Sequence, residues 1–121
     1  MDEEVTTKST KMKLIDYEAV RQIALALPNV EDGLSYGAPA LKVNGKQLFV
    51  RWREDLDAIV LRSTFEEREE LMAADPNVYF ITDHYLNYEY VLVNLKNVGI
   101  EALTDMIRRS YSLAIEKKKK K

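Results

Sequence analysis

Cationic side chains recur along the strands predicted in the first half of the chain, and their spacing suits contact with phosphate groups. Successive side chains of a strand point to opposite faces of its sheet. With Leu48, Val50 and Trp52 pointing into the core, the residues between and beside them face the other way. The predicted basic face consists of Phe49, Arg51 and Arg53, with Lys42 and Arg62 on the neighbouring strands and Lys46 at the start of the predicted strand 46–53, beside the hairpin turn.

This basic face has two interpretations. Cations in a row beside an aromatic ring are typical of surfaces that follow a nucleic-acid backbone and stack a base. The other interpretation is the solvated face of a one-sided sheet, which Glu54, Asp55 and Asp57 would neutralise. The chain has 18 basic and 20 acidic residues, and without the run Lys117–Lys121 the balance is 13 against 20, a net charge of −7. This acidity weakens a simple argument for a polyanion-binding protein.

A second group combines tyrosines with the single histidine of the chain, in two segments rich in turn-forming residues. A tyrosine has a large apolar ring and one polar tip, so it suits a half-buried binding cleft as well as the rim of a core. We expect a ligand pocket where the loop 35–39 meets the loop 84–88. Its predicted residues are Tyr36, Gly37, Pro39, His84, Tyr85 and Tyr88.

The sequence contains little that points to catalysis or to a metal site. Adjacent residues on a strand point in opposite directions, so Asp83 would orient His84 as a general base only if the chain turns there. A structural or surface histidine is favoured, and no catalytic residue is assigned. The chain has no cysteine and one histidine, which excludes thiolate zinc sites, cysteine nucleophiles and sites with two imidazoles. The glutamates at 66–70 suit a solvated helix turn, so we expect no metal and no cofactor.

Apolar spacing and turn residues predict three helices and five strands. The helices begin after the caps Asp16 and Thr64 and near Ile100, where an apolar stripe of helical period starts. The strands are predicted at 40–44, 46–53, 58–63, 78–82 and 88–95. Asn44-Gly45 forms a hairpin turn, and 28–40 is expected to be irregular. The order α-β-β-β-α-β-β-α predicts an α+β fold, a two-layer sandwich of three helices on an antiparallel sheet of about five strands.

A chain of 121 residues is expected to form a single domain, which we place at 14–116. Residues 1–13 are predicted to be a disordered leader, and 117–121 form a lysine tail. The apolar runs are far shorter than the ~20 residues of a membrane span. The leader lacks the apolar stretch of a secretory signal, so we expect a cytoplasmic protein that does not enter the membrane.

Three separated segments resemble the MmcQ/YjbR family: LPNVEDGLSYGAPALKVNGKQLF, ITDHYLNYEYVLVNL and IRRSYSLA. The resemblance runs from about Leu14 to Ala114. Departures from the family pattern are Tyr36 in place of the usual tryptophan, Asp83 where proline is frequent and Asn87 where glycine is common. The motif positions in this chain are Tyr36, Gly37, Pro39, Lys42, Gly45, Lys46, His84 and Tyr85.

The resemblance implies a fold similar to type III secretion chaperones and often likened to frataxin. It also implies DNA binding, as members are commonly described, and it brings no catalytic residue set. Three functions therefore remain open. They are a non-enzymatic DNA-binding protein that contacts phosphates through the basic face and hairpin, a protein-interaction adaptor with a protein partner or a homodimer interface, and a domain that binds a small ligand at the tyrosine and histidine cluster.

Overall fold

The computed structural model describes residues 15–119. The predicted leader at 1–13 lies outside the described residues, as do the side chains of the lysine tail. The helices are α1 (Tyr17–Leu25), α2 (Phe65–Ala74) and α3 (Ile100–Lys119). The strands are β1 (Val30–Ser35), β2 (Ala38–Val43), β3 (Gln47–Arg53), β4 (Ala58–Arg62), β5 (Tyr79–Phe80) and β6 (Tyr90–Asn94). Short 3-10 helices cover Glu54–Leu56 and Asp83–Tyr85.

The caps of α1 and α2 lie where the sequence predicts them. The Asp16 carboxylate accepts a hydrogen bond from the Ala19 amide at 3.0 Å, and the Thr64 hydroxyl accepts one from the Glu67 amide at 3.0 Å. The carboxylate of Glu67 does not complete a capping box. It instead forms an ion pair with Arg109 of α3 at 2.7 Å, which ties the two helices together.

The sheet is antiparallel and has six strands in the order β1-β2-β3-β4-β6-β5, so the α+β class is confirmed and the strand number is corrected. The additional strand is β1, which lies in the segment that we expected to be irregular. It is an edge strand with no fully buried residue, so its sequence lacks the apolar alternation that marks a half-buried strand. A turn at Tyr36-Gly37 joins it to β2, and Ser35 pairs with Ala38.

The main core lies between the helices and one face of the sheet. It contains buried side chains of α1 and α3 together with alternate residues of the central strands, among them Leu41, Val50, Ile59, Leu61, Val91 and Val93. Ser110 of α3 connects the two layers, because its hydroxyl donates to the Phe49 carbonyl at 2.6 Å and accepts from the Arg62 amide at 2.8 Å.

Within residues 15–119 no helix has both the length and the apolar character needed to cross a bilayer.

The opposite face of the sheet carries a smaller apolar cluster. Ala58, Val60 and Leu92 are buried there beneath the ring of Tyr85, which the 3-10 helix Asp83–Tyr85 places over the sheet. This face, which we call the open face, has no α-helix packed on it among the described elements. It is covered in part by the segment between β5 and β6.

The alternation predicted for β3 is wrong at Leu48 and Phe49 because the strand contains a bulge. Leu41 pairs with Val50 and Lys42 pairs with Leu48, so Phe49 has no partner on β2. A bulge places two successive side chains on the same face. Phe49 therefore enters the helix-side core beside Val50, where it is 1% exposed and meets the edge of the Tyr111 ring, while Leu48 lies on the side of Lys42. Phe49 cannot serve as a stacking ring on the basic face.

This placement of Phe49 predicts a large cost for its truncation. Phe49→Ala should lower the free energy of unfolding by about 3–5 kcal/mol, because it opens a cavity against α3. Denaturant unfolding followed by circular dichroism measures the change. The matched control is Leu34→Ala, since Leu34 is 64% exposed and should change the stability little. Equal, small effects of the two substitutions would contradict the buried position of Phe49.

Candidate functional site

The structure places Lys42, Arg51, Arg53 and Arg62 on the open face of the sheet. Arg51 lies opposite Val60 and Arg53 opposite Ala58, and both partners belong to the cluster under Tyr85. Lys46 is exposed in the turn between β2 and β3. The four cations thus share a face, although the stacking ring predicted to accompany them does not.

Two of these cations are already engaged by the protein. Arg53 forms a two-pronged ion pair with Asp55, with nitrogen to oxygen distances of 3.0 and 2.8 Å. The hydrogen bond to Asp55 raises the pKa of Arg53 most, and the hydrogen bond to Tyr85 is the second cause. The hydrogen bond from Arg53 in turn lowers the pKa of the Asp55 carboxyl. Arg62 donates from Nε to the Leu48 carbonyl at 2.6 Å. The stem of Lys42 passes over Gly33, 3.3 Å from the position that a Cβ would take.

Arg51 has different surroundings. Its Nη1 donates to the Tyr85 hydroxyl at 3.0 Å, its Nε reaches the Ser35 carbonyl at 3.4 Å, and its Cζ lies 5.8 Å from the centre of the Tyr36 ring. Within the described part of the chain no carboxylate forms an ion pair with this half-buried guanidinium.

The two loops predicted to form a pocket converge on a cavity of about 540 Å³ beside Arg51. We call it the aromatic cleft. Its lining consists of Ser35, Tyr36, Leu48, Phe49, Arg51, Val60, His84, Tyr85, Tyr88 and Tyr90. Of the predicted pocket residues, Tyr36, His84, Tyr85 and Tyr88 line it, while Gly37 and Pro39 do not. Gly37, with φ 81°, instead forms the turn that presents Tyr36.

Tyr36 occupies a strained position at the mouth of the cleft. Its φ is 52°, in the left-handed region where a bulky residue costs roughly 1–2 kcal/mol. The corresponding turn between β2 and β3 uses Asn44 and Gly45, the residue types that adopt this conformation readily. The Tyr36 side chain is 98% exposed, so burial of its ring does not offset the strain.

The opposite wall is a set of aromatic rings around Tyr85. His84 meets Tyr85 edge-on at 4.8 Å between ring centres, Tyr88 lies 6.4 Å from His84, and Tyr90 meets Tyr85 edge-on at 6.1 Å. The Tyr85 hydroxyl accepts hydrogen bonds from Arg51 at 3.0 Å and from Arg53 at 3.2 Å. Tyr85 thereby fixes the two guanidinium groups relative to the wall.

Arg68 holds this wall in place, and the sequence analysis did not identify it. The side chain is 3% exposed, and its guanidinium donates to the carbonyls of Tyr85, Leu86, Tyr88 and Tyr90 at 2.7–3.1 Å. We call this set of contacts the Arg68 clamp. Arg68 stands among exposed glutamates of α2, so its sequence context indicated only a solvated turn. Its Cζ also lies 4.9 Å from the centre of the Phe65 ring.

A second cavity, of about 590 Å³, lies beside the aromatic cleft and shares Tyr88 and Tyr90 with it. It contains Arg62 together with the carboxylates of Glu89 and Glu116, so its lining has mixed charge. Glu89 accepts a hydrogen bond from the Phe65 amide at 3.4 Å, at the start of α2. Among residues 15–116 no three potential ligands group together in a way that could hold a metal ion.

The Arg68 clamp predicts a local effect of substituting this residue. Arg68→Met should lower the free energy of unfolding by about 2–4 kcal/mol, because four carbonyls lose a charged donor and, among the described residues, only those of Tyr85 and Tyr88 keep a backbone amide, at 3.1 and 2.8 Å. Amide hydrogen exchange should accelerate at 85–90 under native conditions, and exchange at the β3–β4 pairs should remain slow. Arg109→Met, which removes an ion pair at the surface, is the control and should cost less than about 1 kcal/mol. Uniform acceleration across the sheet would contradict a clamp specific to this segment.

Comparisons with known proteins cover most of the described fold. A Deinococcus radiodurans protein of known crystal structure, DR2400, with a domain described as DUF419, is similar in fold, with a TM-score of 0.71 and 23% identity over 84% of this chain and 79% of that one. No curated protein matches the chain. The YjbR family model matches residues 25–113, which is more than half of the chain and includes both segments that form the aromatic cleft. On this match, the chain belongs to the YjbR family.

Proposed function

We propose that this chain is a non-enzymatic binding protein that holds a planar aromatic ligand in the aromatic cleft. The observation that carries the proposal is the convergence of the turn at Tyr36 with the segment 84–90 on one cavity of about 540 Å³. A cavity of this size lies within the range of small-molecule sites, which is roughly 300–1,000 Å³. The two segments lie far apart in the sequence, and β3 with its arginines lies between them.

The chemistry of the lining supports a planar ligand. Leu48 and Val60 provide an apolar floor, and the rings of Tyr36, His84 and Tyr88 stand at the sides. Aromatic rings bind another ring by offset stacking or edge contacts, and tyrosine hydroxyls add polar contacts at the rim. A flat ligand fits between such walls better than a bulky one.

The strained position of Tyr36 supports the same proposal. A tyrosine at φ 52° lowers the stability of the turn, and its exposed ring gains little from the rest of the fold. A ligand that stacks on this ring would bury it and provide the missing contact. Strain retained at an exposed aromatic residue beside a cavity is typical of a binding residue.

The composition of the cleft supports binding without chemical conversion. The lining brings together tyrosine hydroxyls, one imidazole and one guanidinium, and it includes no carboxylate to orient His84 as a general base. His84 contacts the rings of Tyr85 and Tyr88. We therefore assign His84 to the aromatic wall.

Tyr36→Asn tests this proposal, because it should separate binding from stability. Asparagine before Gly37 suits the turn, so the free energy of unfolding should rise by about 1 kcal/mol. Binding of naphthol, a neutral planar probe, should weaken about tenfold through loss of the stacking ring. Amide chemical shifts during titration measure both the affinity and the location. The wild-type shifts should concentrate at Tyr36, Arg51 and 84–90.

The control for Tyr36→Asn is Leu34→Asn. Leu34 is exposed on the same hairpin, and its strand register places it on the helix side of the sheet. This substitution should leave naphthol affinity unchanged. Absence of naphthol binding to the wild-type protein, or shifts scattered away from the aromatic cleft, would overturn the proposed function.

DNA binding is a second candidate, favoured by the presence of Lys42, Arg51, Arg53 and Arg62 on one face of the sheet. Phosphate contacts by several of these side chains would make affinity fall with salt, by roughly 0.9 log unit per log unit of salt for each phosphate neutralised. Arg53 would have to leave Asp55 to contribute, which costs an ion pair. The geometry therefore supports few phosphate contacts and weak binding.

The salt dependence of duplex DNA binding tests this second candidate. The protein used should lack Lys117–Lys121, since five lysines bind DNA on their own. Lys42→Gln should then lower the salt slope by about one phosphate contact. Arg109→Gln, a change of equal charge on the helix side, should leave the slope unchanged. Binding that is absent or independent of salt in the shortened protein would remove DNA from consideration.

A further inference from the structure

We infer that the ligand of the aromatic cleft is a planar aromatic anion, such as an aryl carboxylate or aryl phosphate, and that Arg51 binds its anionic group. This inference rests on the proposed function, because it assigns the chemical class of the ligand for the same cleft. Four observations lead to it: the charge of the lining, the contacts of Arg51, the contrast with neighbouring arginines, and the distance from Arg51 to Tyr36.

The lining of the aromatic cleft is cationic although the chain as a whole has a net charge of −2. Arg51 is its one permanently charged residue, and no aspartate or glutamate belongs to the lining. Asp55 of the β3–β4 connection, whose pKa is lowered mainly by Arg53 and least by Arg51, is paired with Arg53. Positive potential is strengthened in a cleft with apolar walls, because little water screens it there. The cleft therefore favours an anion over a neutral or cationic ligand.

The contacts of Arg51 leave much of its guanidinium without a protein partner in the described part of the chain. One Nη1 hydrogen goes to the Tyr85 hydroxyl, and Nε makes a long contact with the Ser35 carbonyl at 3.4 Å. A guanidinium has five N–H groups arranged in a fork that matches two oxygens of a carboxylate or phosphate. Nη2 and the second Nη1 hydrogen can therefore donate hydrogen bonds to such a group.

Two neighbouring arginines have protein partners that Arg51 lacks. Arg53 is neutralised by the two-pronged contact with Asp55, and both Nη atoms of Arg68 donate to carbonyls, four in all, while its Nε has no partner among the described residues. Arg51 is half-buried and has neither kind of compensation. A partly desolvated charge without a counter-ion is costly. An anion that binds Arg51 from solution would remove this cost, so its binding free energy should be more favourable at Arg51 than at Arg53 or Arg68.

The position of Arg51 relative to the rings limits where the anionic group sits on the ligand. Its Cζ lies 5.8 Å from the centre of the Tyr36 ring. A ligand ring stacked on Tyr36 therefore reaches Arg51 when its anionic group lies within a similar distance of that ring. The Tyr85 hydroxyl accepts from two guanidinium groups, which polarises its O–H bond and makes it a good donor to a second ligand oxygen.

A matched pair of probes, naphthoate and naphthol, tests the inference, because they share a ring system and differ in charge. Naphthoate should bind the wild-type protein about tenfold more tightly than naphthol, as expected for a charge-assisted contact of a carboxylate. Arg51→Gln should remove this preference, so that the variant binds naphthoate no more tightly than naphthol. Arg51→Lys keeps the charge without the fork and should retain part of the preference. Lys42→Gln, which removes a cation of the same face outside the cleft, is the control and should retain all of it.

The outcomes distinguish the inference from the proposed function. Equal binding of the two probes at the aromatic cleft, unaffected by Arg51→Gln, would overturn the anion assignment and leave the proposed function in place. Failure of both probes to bind would overturn both. Thermal unfolding of each variant without ligand shows whether lost affinity reflects a lost fold, and Arg51→Lys provides a second variant if Arg51→Gln unfolds.

An aromatic ring with a nearby anionic group occurs both in free small molecules and in the nucleotides of a single strand of DNA. Thymidine monophosphate and a short thymidine oligonucleotide distinguish these sources. Equal affinity for the two indicates a free small molecule. Affinity about tenfold higher for the oligonucleotide, lost in Arg51→Gln, indicates a nucleotide unit of a strand. Oligonucleotide binding that Arg51→Gln leaves intact would place the contact elsewhere and count against the inference.

Discussion

The open face depends on one buried charge, the guanidinium of Arg68. A cation removed from water is costly, and in this protein it is compensated by backbone dipoles, with no carboxylate among the contacts described. The carbonyls of the segment 85–90 in turn need donors, since an irregular segment cannot satisfy them through a ladder of strand hydrogen bonds. The clamp therefore offsets part of the cost on both sides, while the buried Nε of Arg68 has no partner among the described residues. The result is a defined conformation for residues 86–89, which contain no regular secondary structure and connect the 3-10 helix to β6.

The position of Tyr85 follows from that conformation, and the arrangement of the arginines follows from Tyr85. Its ring closes a small apolar cluster on Val60 and Leu92, and its hydroxyl receives Arg51 and Arg53 from β3. Arg53 is further neutralised by Asp55, whereas Arg51 faces a cavity. Two arginines separated by a single residue therefore differ in chemistry: one is a structural ion pair, and the other is a cation positioned beside aromatic rings.

The bulge in β3 shapes the floor of the same cavity. By placing Phe49 and Val50 on one face, it sends an aromatic ring into the helix-side core, and Leu48 lies on the open side. The Ser110 hydroxyl stabilises the bulge, because it donates to the Phe49 carbonyl and accepts from the amide of Arg62, the last residue of β4. A cleft with an apolar floor thus lies next to a cationic side chain. The turn at the mouth of the cleft lowers the stability of the fold, because Tyr36 occupies a conformation better suited to asparagine or glycine.

Local interactions let the sequence alone determine the caps at Asp16 and Thr64, the turn at Asn44-Gly45 and the α+β class, because each depends on residues within a few positions of one another. The sequence also predicts that four aromatic residues meet at one cavity, because turn residues and amphipathic rings concentrate in two short segments. These residues are Tyr36, His84, Tyr85 and Tyr88. Only the tertiary structure decided the edge strand β1, the bulge at Phe49 and the role of Arg68. The partners of these features lie elsewhere in the chain: β1 exists through pairing with β2, Phe49 turns inward against α3, and the carbonyls that satisfy Arg68 come from β6 and the segment before it. A pattern of period two or 3.6 contains no information about such distant contacts, so it assigns an edge strand to a loop and a buried arginine to the surface.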